Sequence, residues 1–403
     1  MPPMNRVVVV GASMAGTYAA ESLRNEGFDG TITMVGDEPD RPYDRPPLSK
    51  EVLAGEWEPD RLALPVDLDS LGLDWRLGTA ATALDLDARE VVLGSGERLG
   101  FDGLVIATGA TPRRLPGTPE ISGIHVLRTL EDCLALRADL DRVPGRVVVV
   151  GAGFIGAEVA ATCRGRGLEV TVVEALPQPL SRALGGDMGA VLADVHRDHG
   201  VDLRLGVGVD VDGFVGDQSV SGVRLSDGEV VDADVVVVGI GVQPATAWLE
   251  GSGLEIDDGV VCDETCLAAP GIVAAGDVAR WTNPLFEEQM RVEHWENAIE
   301  QGEAAAKRLL AGDGPGEPFA PVPWFWSDQY DRKIQLAGRA AADDDVAIVH
   351  GSLEERRFVA LYGRAGRVVG VLGMNRPRHV MQYRQKIAEQ LSWEEALADA
   401  EEA

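Results

Sequence analysis

The chain has 403 residues, 45% of them hydrophobic, enough for a large buried interior and, at typical domain sizes, for two or three domains. Its formal charge of −30 sets long-range repulsion against nucleic acid and anionic membranes. The longest apolar runs, such as residues 7–10 and 235–238, fall far short of the roughly 20 residues that cross a bilayer.

Residues 1–6, MPPMNR, lead into a valine run with neither the apolar stretch nor the small-residue cleavage site of a secretory signal, so a cytoplasmic protein is expected. Residues 6–16 read RVVVVGASMAG. A continuous β-branched run of this kind predicts a strand buried on both faces of a parallel sheet, turning at glycine into an Ala-rich helix. A second strand, 31–35, completes a βαβ unit. Residues 104–112, LVIATGATP, form a strand ending in a Thr-Gly turn and mark a crossing point between domains.

Residues 146–156, RVVVVGAGFIG, repeat the opening motif, and a strand at 169–173 follows it as before. The segment 235–244, VVVVGIGVQP, closes this second unit. Residues 271–278, GIVAAGDV, return to strand character ahead of a helix from about 294 to 310, as if the first domain resumed after an insertion. Beyond a Gly- and Pro-rich stretch at 312–320, strand-like runs IQLAGRA, VAIVHGSL, RRFVALYG and RVVGVLGM alternate with turns before a helical tail. The predicted fold is α/β. Two Rossmann-like dinucleotide-binding domains occupy 1–112 with 243–318 and, inserted between these, 113–242, and an α+β domain follows at 319–403.

A glycine turn between strand and helix brings backbone amides to a pyrophosphate at the positive end of a helix. In the second copy Gly151, Gly153 and Gly156 fill GxGxxG, and Glu174 ends the next strand, where a carboxylate accepts from both ribose hydroxyls. That carboxylate repels a 2′-phosphate and favours NADH, with Arg182 as the nearest downstream cation for a phosphate. The first copy keeps Gly11 and Gly16 but carries Ser13 at the second glycine position. Its ribose-binding acid is expected at Asp37 rather than Glu38. Cys133, Cys163, Cys262 and Cys266 show neither CxxC spacing nor a disulfide framework, and no metal site is expected. Cys262 and Cys266, separated by Asp-Glu-Thr, are either a redox pair or two ordinary thiols.

Two dinucleotide units, the ATG turn at 107–109 and the Gly276-Asp277 pair resemble the glutathione-reductase-type flavoprotein superfamily over nearly the whole chain. The resemblance implies FAD on the first unit, a nicotinamide nucleotide on the second, and Asp277 at the flavin ribitol. A narrower resemblance rests on YDRPPLSK at 43–50, LRTLED at 127–132, EHWENA at 293–298 and PWFWSDQ at 323–329. These are similar to the NADH-dependent ferredoxin reductases that feed bacterial cytochrome P450 and Rieske oxygenase systems, the putidaredoxin reductase and biphenyl dioxygenase reductase type. By that resemblance Lys50 lies beside the flavin and pairs with Glu158, the two carrying catalytic roles. Arg128 contacts FAD, Trp295 approaches the isoalloxazine, and Ala15 and Ala81 add backbone contacts. Arg45, Thr108 and Gly109 join the FAD set; Ile155 and Gly241 join the NADH set. Hydride arriving at a flavin creates negative charge that a held ammonium stabilises.

Trp324 and Trp326 flank Phe325 in a chain that is only 5% aromatic. Core packing explains such a cluster; the resemblance instead puts Trp326 on a ferredoxin-docking surface. Arg332, Lys333, Arg339, Arg376, Arg378 and Arg384 would then form a basic rim for an acidic partner, or else a scatter of solvated charges. Thiol-dependent relatives carry cysteine after the first cradle, and residues 41–50 contain none. The resemblance therefore implies electrons leaving one at a time to a [2Fe-2S] ferredoxin. A rubredoxin reductase, a peroxide-forming NADH oxidase and an apoptosis-inducing-factor-like interaction module remain alternatives.

Overall fold

The computed structural model describes residues 4–401, so Met1 to Pro3, part of the segment read for a leader, lie outside the described residues. The chain divides into two compact units, one of residues 1–44, 63–111 and 243–324, the other of 45–62, 112–242 and 325–403.

In the first unit a six-stranded sheet runs in the order 267–269, 272–274, 103–106, 6–10, 31–35, 74–76. Strand Arg6–Val10 is central and parallel to both neighbours, with Val10 opposite Val35 on one side and Ile106 on the other. Its alternation explains the unbroken valine run. Val7 and Val9 pack toward helices Met14–Asn25 and Trp295–Leu310, while Val8 and Val10 pack on the opposite face with Phe101, Val278 and the fully buried Trp281. The helices touch along small residues: a Cβ on Gly302 would lie 2.5 Å from the carbonyl oxygen of Ala15.

The second unit repeats the plan. A parallel sheet runs 202–205, 169–174, 146–150, 235–238, 124–125, with Val150 opposite Val173 and Val238. Residues 45–62 belong here because side chains of later helices hold their carbonyls. Thr162 Oγ1 donates to the Ser49 carbonyl at 2.8 Å, Cys133 Sγ to that of Leu48 at 3.1 Å and Arg166 Nη1 to that of Leu53 at 2.8 Å.

Near the C-terminus an antiparallel sheet runs 324–329, 332–338, 367–374, 357–364, 345–352, followed by helices Pro377–Ala388 and Trp393–Glu401. Residues 325–403 share the unit with 112–242 because helix Ser181–Asp198 buries Leu184, Met188, Leu192 and Val195 against Ile334, Phe358, Tyr362 and Met374. The Tyr362 hydroxyl, fully buried, donates to the Leu184 carbonyl at 3.0 Å. Gly185 interrupts that helix at φ 81° and ψ 166°. No helix among the described residues is long and apolar enough to cross a membrane.

Candidate functional site

The central strands of the two sheets end in the same turn. At Gly11 a Cβ would lie 2.0 Å from the Ala107 carbonyl oxygen, and at Gly151 it would lie 2.3 Å from that of Gly239. At Gly16 and Gly156 it would lie 2.0 and 2.2 Å from the carbonyl oxygens of Gly11 and Gly151. These four glycines are required by packing: backbone stands where any side chain would go. Gly153 differs. A Cβ there meets nothing within 4 Å, and its φ of −72° suits any residue, so protein packing does not demand glycine. Its first-copy counterpart is Ser13, which keeps an extended backbone and makes no side-chain cap. Neither helix has an acid in its first turn, leaving both positive ends open to an anion.

Around the second turn, Glu174 folds back over it, accepting from the Ala152 and Leu176 amides, each at 2.8 Å. Ile155 is exposed at 49% on the first helical turn, Gly241 has an open α-carbon, and Arg182 is exposed at the start of its helix. A carboxylate fixed beside an unobstructed glycine turn fits an unphosphorylated adenosine ribose and its pyrophosphate, and hence NAD(H).

In the first unit the register puts Gly36 where the second unit has Glu174. A Cβ on Gly36 would lie 2.7 Å from Ala12 Cβ, so no acid fits at that position and the nearest are Asp37 and Glu38. Asp37 is exposed and its Oδ1 accepts the Glu38 amide at 3.0 Å; Glu38 instead accepts from the buried Tyr43 hydroxyl at 2.5 Å. Gly276, at φ +76°, packs so closely on Ala15 that a Cβ would come within 2.9 Å of the alanine's. Its amide donates to the fully buried Gln301 at 2.9 Å, which fixes the turn carrying Asp277. Trp295 Nε1 donates to Asp44 at 2.7 Å, Thr108 Oγ1 donates to the Ala245 carbonyl at 2.8 Å, and Gly109 takes φ +67°. Ala81 opens strand Ala81–Asp85 and is half-buried. The close-packed turn, the open helix end and the polar groups near it fit FAD.

Lys50 and Glu158 meet in the second unit. Lys50 Nζ donates to Glu158 Oε2 at 2.7 Å, with the lysine side chain 15% and the glutamate 4% exposed. Sequence reasoning missed the rest of this cluster: Ser49 Oγ donates to Oε2 at 2.5 Å and Ser327 Oγ to Oε1 at 2.8 Å. Their only sequence signal was a serine beside each quoted motif residue, Lys50 and Trp326. Arg45 Nη1 donates to the Arg128 carbonyl at 2.7 Å, which brings together two of the residues expected at FAD.

The expected docking residues are spread out. Trp326 lies in the strand Trp324–Gln329, half-buried, while Lys333 is near the start of the neighbouring strand Arg332–Gly338 and Arg339 just past its end, about 20 Å apart along the chain. Lys333 pairs with Asp328 at 3.0 Å. All four cysteines are free and buried; burial pushes the thiols of Cys133, Cys163 and Cys266 up to about 12 and raises Cys262 well above its usual value. Among the described residues, no group of three or more His, Cys, Asp or Glu is placed to hold a metal.

Two phosphate cradles in one chain, with a buried lysine–carboxylate pair whose glutamate stands on the second cradle's helix, define an oxidoreductase that uses two dinucleotides. Residues 5–302 match the pyridine nucleotide-disulphide oxidoreductase model and residues 324–403 the reductase C-terminal model, and the chain belongs to the pyridine nucleotide-disulphide oxidoreductase family. It is 40% identical to rhodocoxin reductase of Rhodococcus erythropolis over 96% of this chain and 90% of that one. With putidaredoxin reductase of Pseudomonas putida it shares 36% identity over 98% and 94%. The crystal structure of the covalent putidaredoxin reductase–putidaredoxin complex superimposes with a TM-score of 0.90 at 36% identity, covering 96% of this chain and 94% of that one. The predicted α/β class with a C-terminal α+β segment agrees with these matches.

Proposed function

We propose that the protein is an FAD-dependent NADH:ferredoxin oxidoreductase that delivers electrons singly to a [2Fe-2S] ferredoxin serving a cytochrome P450 or Rieske oxygenase. The observation that carries this is the Lys50–Glu158 pair in a chain with two nucleotide cradles and only buried, unpaired thiols. Relatives named as reductases of a dioxygenase system and of a redoxin support the acceptor. Bound FAD supplies hydride acceptance and one-electron release.

In this reading the chain's own residues bind, orient and stabilise. Gly11, Ser13 and Gly16 present amides to the FAD pyrophosphate, with Asp37 at its ribose and Asp277 at the ribitol. Gly153 admits the NADH pyrophosphate while Gly156 keeps the turn closed on the helix, Glu174 accepts from its ribose, and Ile155 and Gly241 border the nicotinamide side. Lys50 holds an ammonium for the charge that hydride brings, and Glu158 fixes that ammonium. A cytoplasmic setting suits the acidic chain and its free thiols.

The test is cytochrome c reduction by FAD-loaded protein with NADH or NADPH, with and without a [2Fe-2S] ferredoxin. Ferredoxin-dependent turnover with NADH preferred is expected. Equal rates without ferredoxin, or rapid oxygen uptake, would overturn it in favour of an oxidase.

A further inference from the structure

We infer that Ser327, held by Gln329, is a positioning residue for the Lys50–Glu158 pair, so the reductase C-terminal segment sets the geometry of hydride transfer. The inference rests on the proposed role of that pair. Glu158 is 3% exposed, and its two oxygens are served unequally. Oε2 takes both Ser49 and Lys50, whereas Oε1 takes the Ser327 hydroxyl, which comes from a strand 169 residues away. A buried carboxylate oxygen deprived of its donor turns toward another, and the ammonium paired with the carboxylate moves with it.

The direction of the Ser327 hydroxyl is itself fixed. Gln329 Nε2 donates to Ser327 Oγ at 3.1 Å, which commits the serine's one proton to Glu158. Ser327 is fully buried and Gln329 is 1% exposed, and Gln329 Oε1 has no partner among the described residues. A buried amide with an unsatisfied oxygen is a poor choice for stability alone, so it points to a demand for its donor.

Packing explains how a distant strand finds this carboxylate. Residues 325, 327 and 329 share one face of strand Trp324–Gln329, and residues 154 and 158 share one face of helix Phe154–Gly165. Phe325 packs edge-on against Phe154 with centroids 4.5 Å apart. Two residues of strand advance about 6.6 Å and four of helix about 6 Å, so seating Phe325 on Phe154 seats Ser327 at Glu158.

Four lysines in the whole chain make the decisive test simple: with nitrogen-15 lysine, the Lys50 ammonium is one signal of four, assigned by K50M. In S327A we expect its proton exchange with water to quicken about tenfold. We also expect the limiting rate of flavin reduction by NADH in stopped flow to drop about tenfold with NADH affinity unchanged, both scaled to the loss of one hydrogen bond to a charged group. S327T, which keeps the hydroxyl, should restore both. Q329L, which keeps Ser327 but frees its proton, should shift both in the same direction by less. Wild-type ammonium exchange in S327A and Q329L overturns the inference whatever NADH does. Failure of NADH to reduce the wild-type flavin would instead overturn the proposed function, leaving ammonium exchange to decide the positioning role.

Discussion

Gly153 and Gly156 stand three residues apart in one motif, yet the structure gives them opposite jobs, and one pair of substitutions separates the two. In G156A the new Cβ would lie 2.2 Å from the Gly151 carbonyl oxygen and 3.3 Å from Val149 Cγ1, so backbone has to move. Overpacking of this kind costs about 1–3 kcal/mol, and each kcal/mol lowers the melting midpoint by roughly 2–4 °C in a unit of this size. In G153A the Cβ meets nothing within 4 Å and φ is already −72°, so the melting midpoint should stay at the wild-type value. The methyl group instead occupies the space through which a pyrophosphate approaches the amides. Losing one hydrogen bond to a charged phosphate removes about 1.5–3 kcal/mol, which weakens NAD⁺ binding roughly 10- to 150-fold. Calorimetric titration with NAD⁺ and thermal unfolding by circular dichroism measure the two quantities on the same samples. G153A binding NAD⁺ like wild type, or G156A melting like wild type, would refute the division of labour.

Replacing Glu174 with Ala removes the acceptor for the Ala152 and Leu176 amides and the repulsion toward a 2′-phosphate, so the NADH-over-NADPH ratio of kcat/KM should fall about tenfold or more. His196 is buried against Tyr330, its Nδ1 2.9 Å from the tyrosine hydroxyl, and burial lowers its pKa to about 4 from 6.5. The unfolded chain therefore binds more protons between these values: the contribution is fully present above pH 6.5 and is lost as pH falls toward 4, by about 3 kcal/mol in all. Melting curves at pH 7 and pH 4.5 should diverge less in H196Q than in wild type. Native protein should give no reaction with Ellman's reagent and, once unfolded, release all four thiols.

The parts legible in the sequence are those written locally. Residues 6–16 and 146–156 each encode strand, turn and helix within 11 residues, and Glu174 follows from the length of the βαβ unit. In the first unit the register offers no acid at the matching position, because Gly36 stands there over Ala12, and that leaves the choice between Asp37 and Glu38 open to the loop that follows. Ser327 and Gln329 were illegible for a different reason. Their partner is fixed by a strand running along a helix more than 160 residues earlier, and no periodicity within either segment encodes that encounter. The same holds for helix Ser181–Asp198, whose apolar stripe reads as any amphipathic helix but is buried on the C-terminal sheet.

The differences between the two copies follow from what each is proposed to do with its ligand. A prosthetic group is kept through every turnover, whereas a nicotinamide nucleotide arrives and leaves each time. Around the first turn, Ala15 is wedged between Gly276 and Gly302, both so close that a Cβ on either would come within 3 Å of it, and Ser13 places a hydroxyl where the second copy has none. Around the second, Gly153 and Gly241 have open α-carbons, and Ile155 stands half in solvent. An open cradle binds through backbone amides and one carboxylate with little rearrangement on release, which keeps exchange fast. Filling it from the protein side at Gly153, whose φ of −72° suits any residue, by G153V for instance, should abolish NAD⁺ binding while leaving FAD content unchanged. A comparable intrusion at the first turn, G276V, should yield protein without FAD.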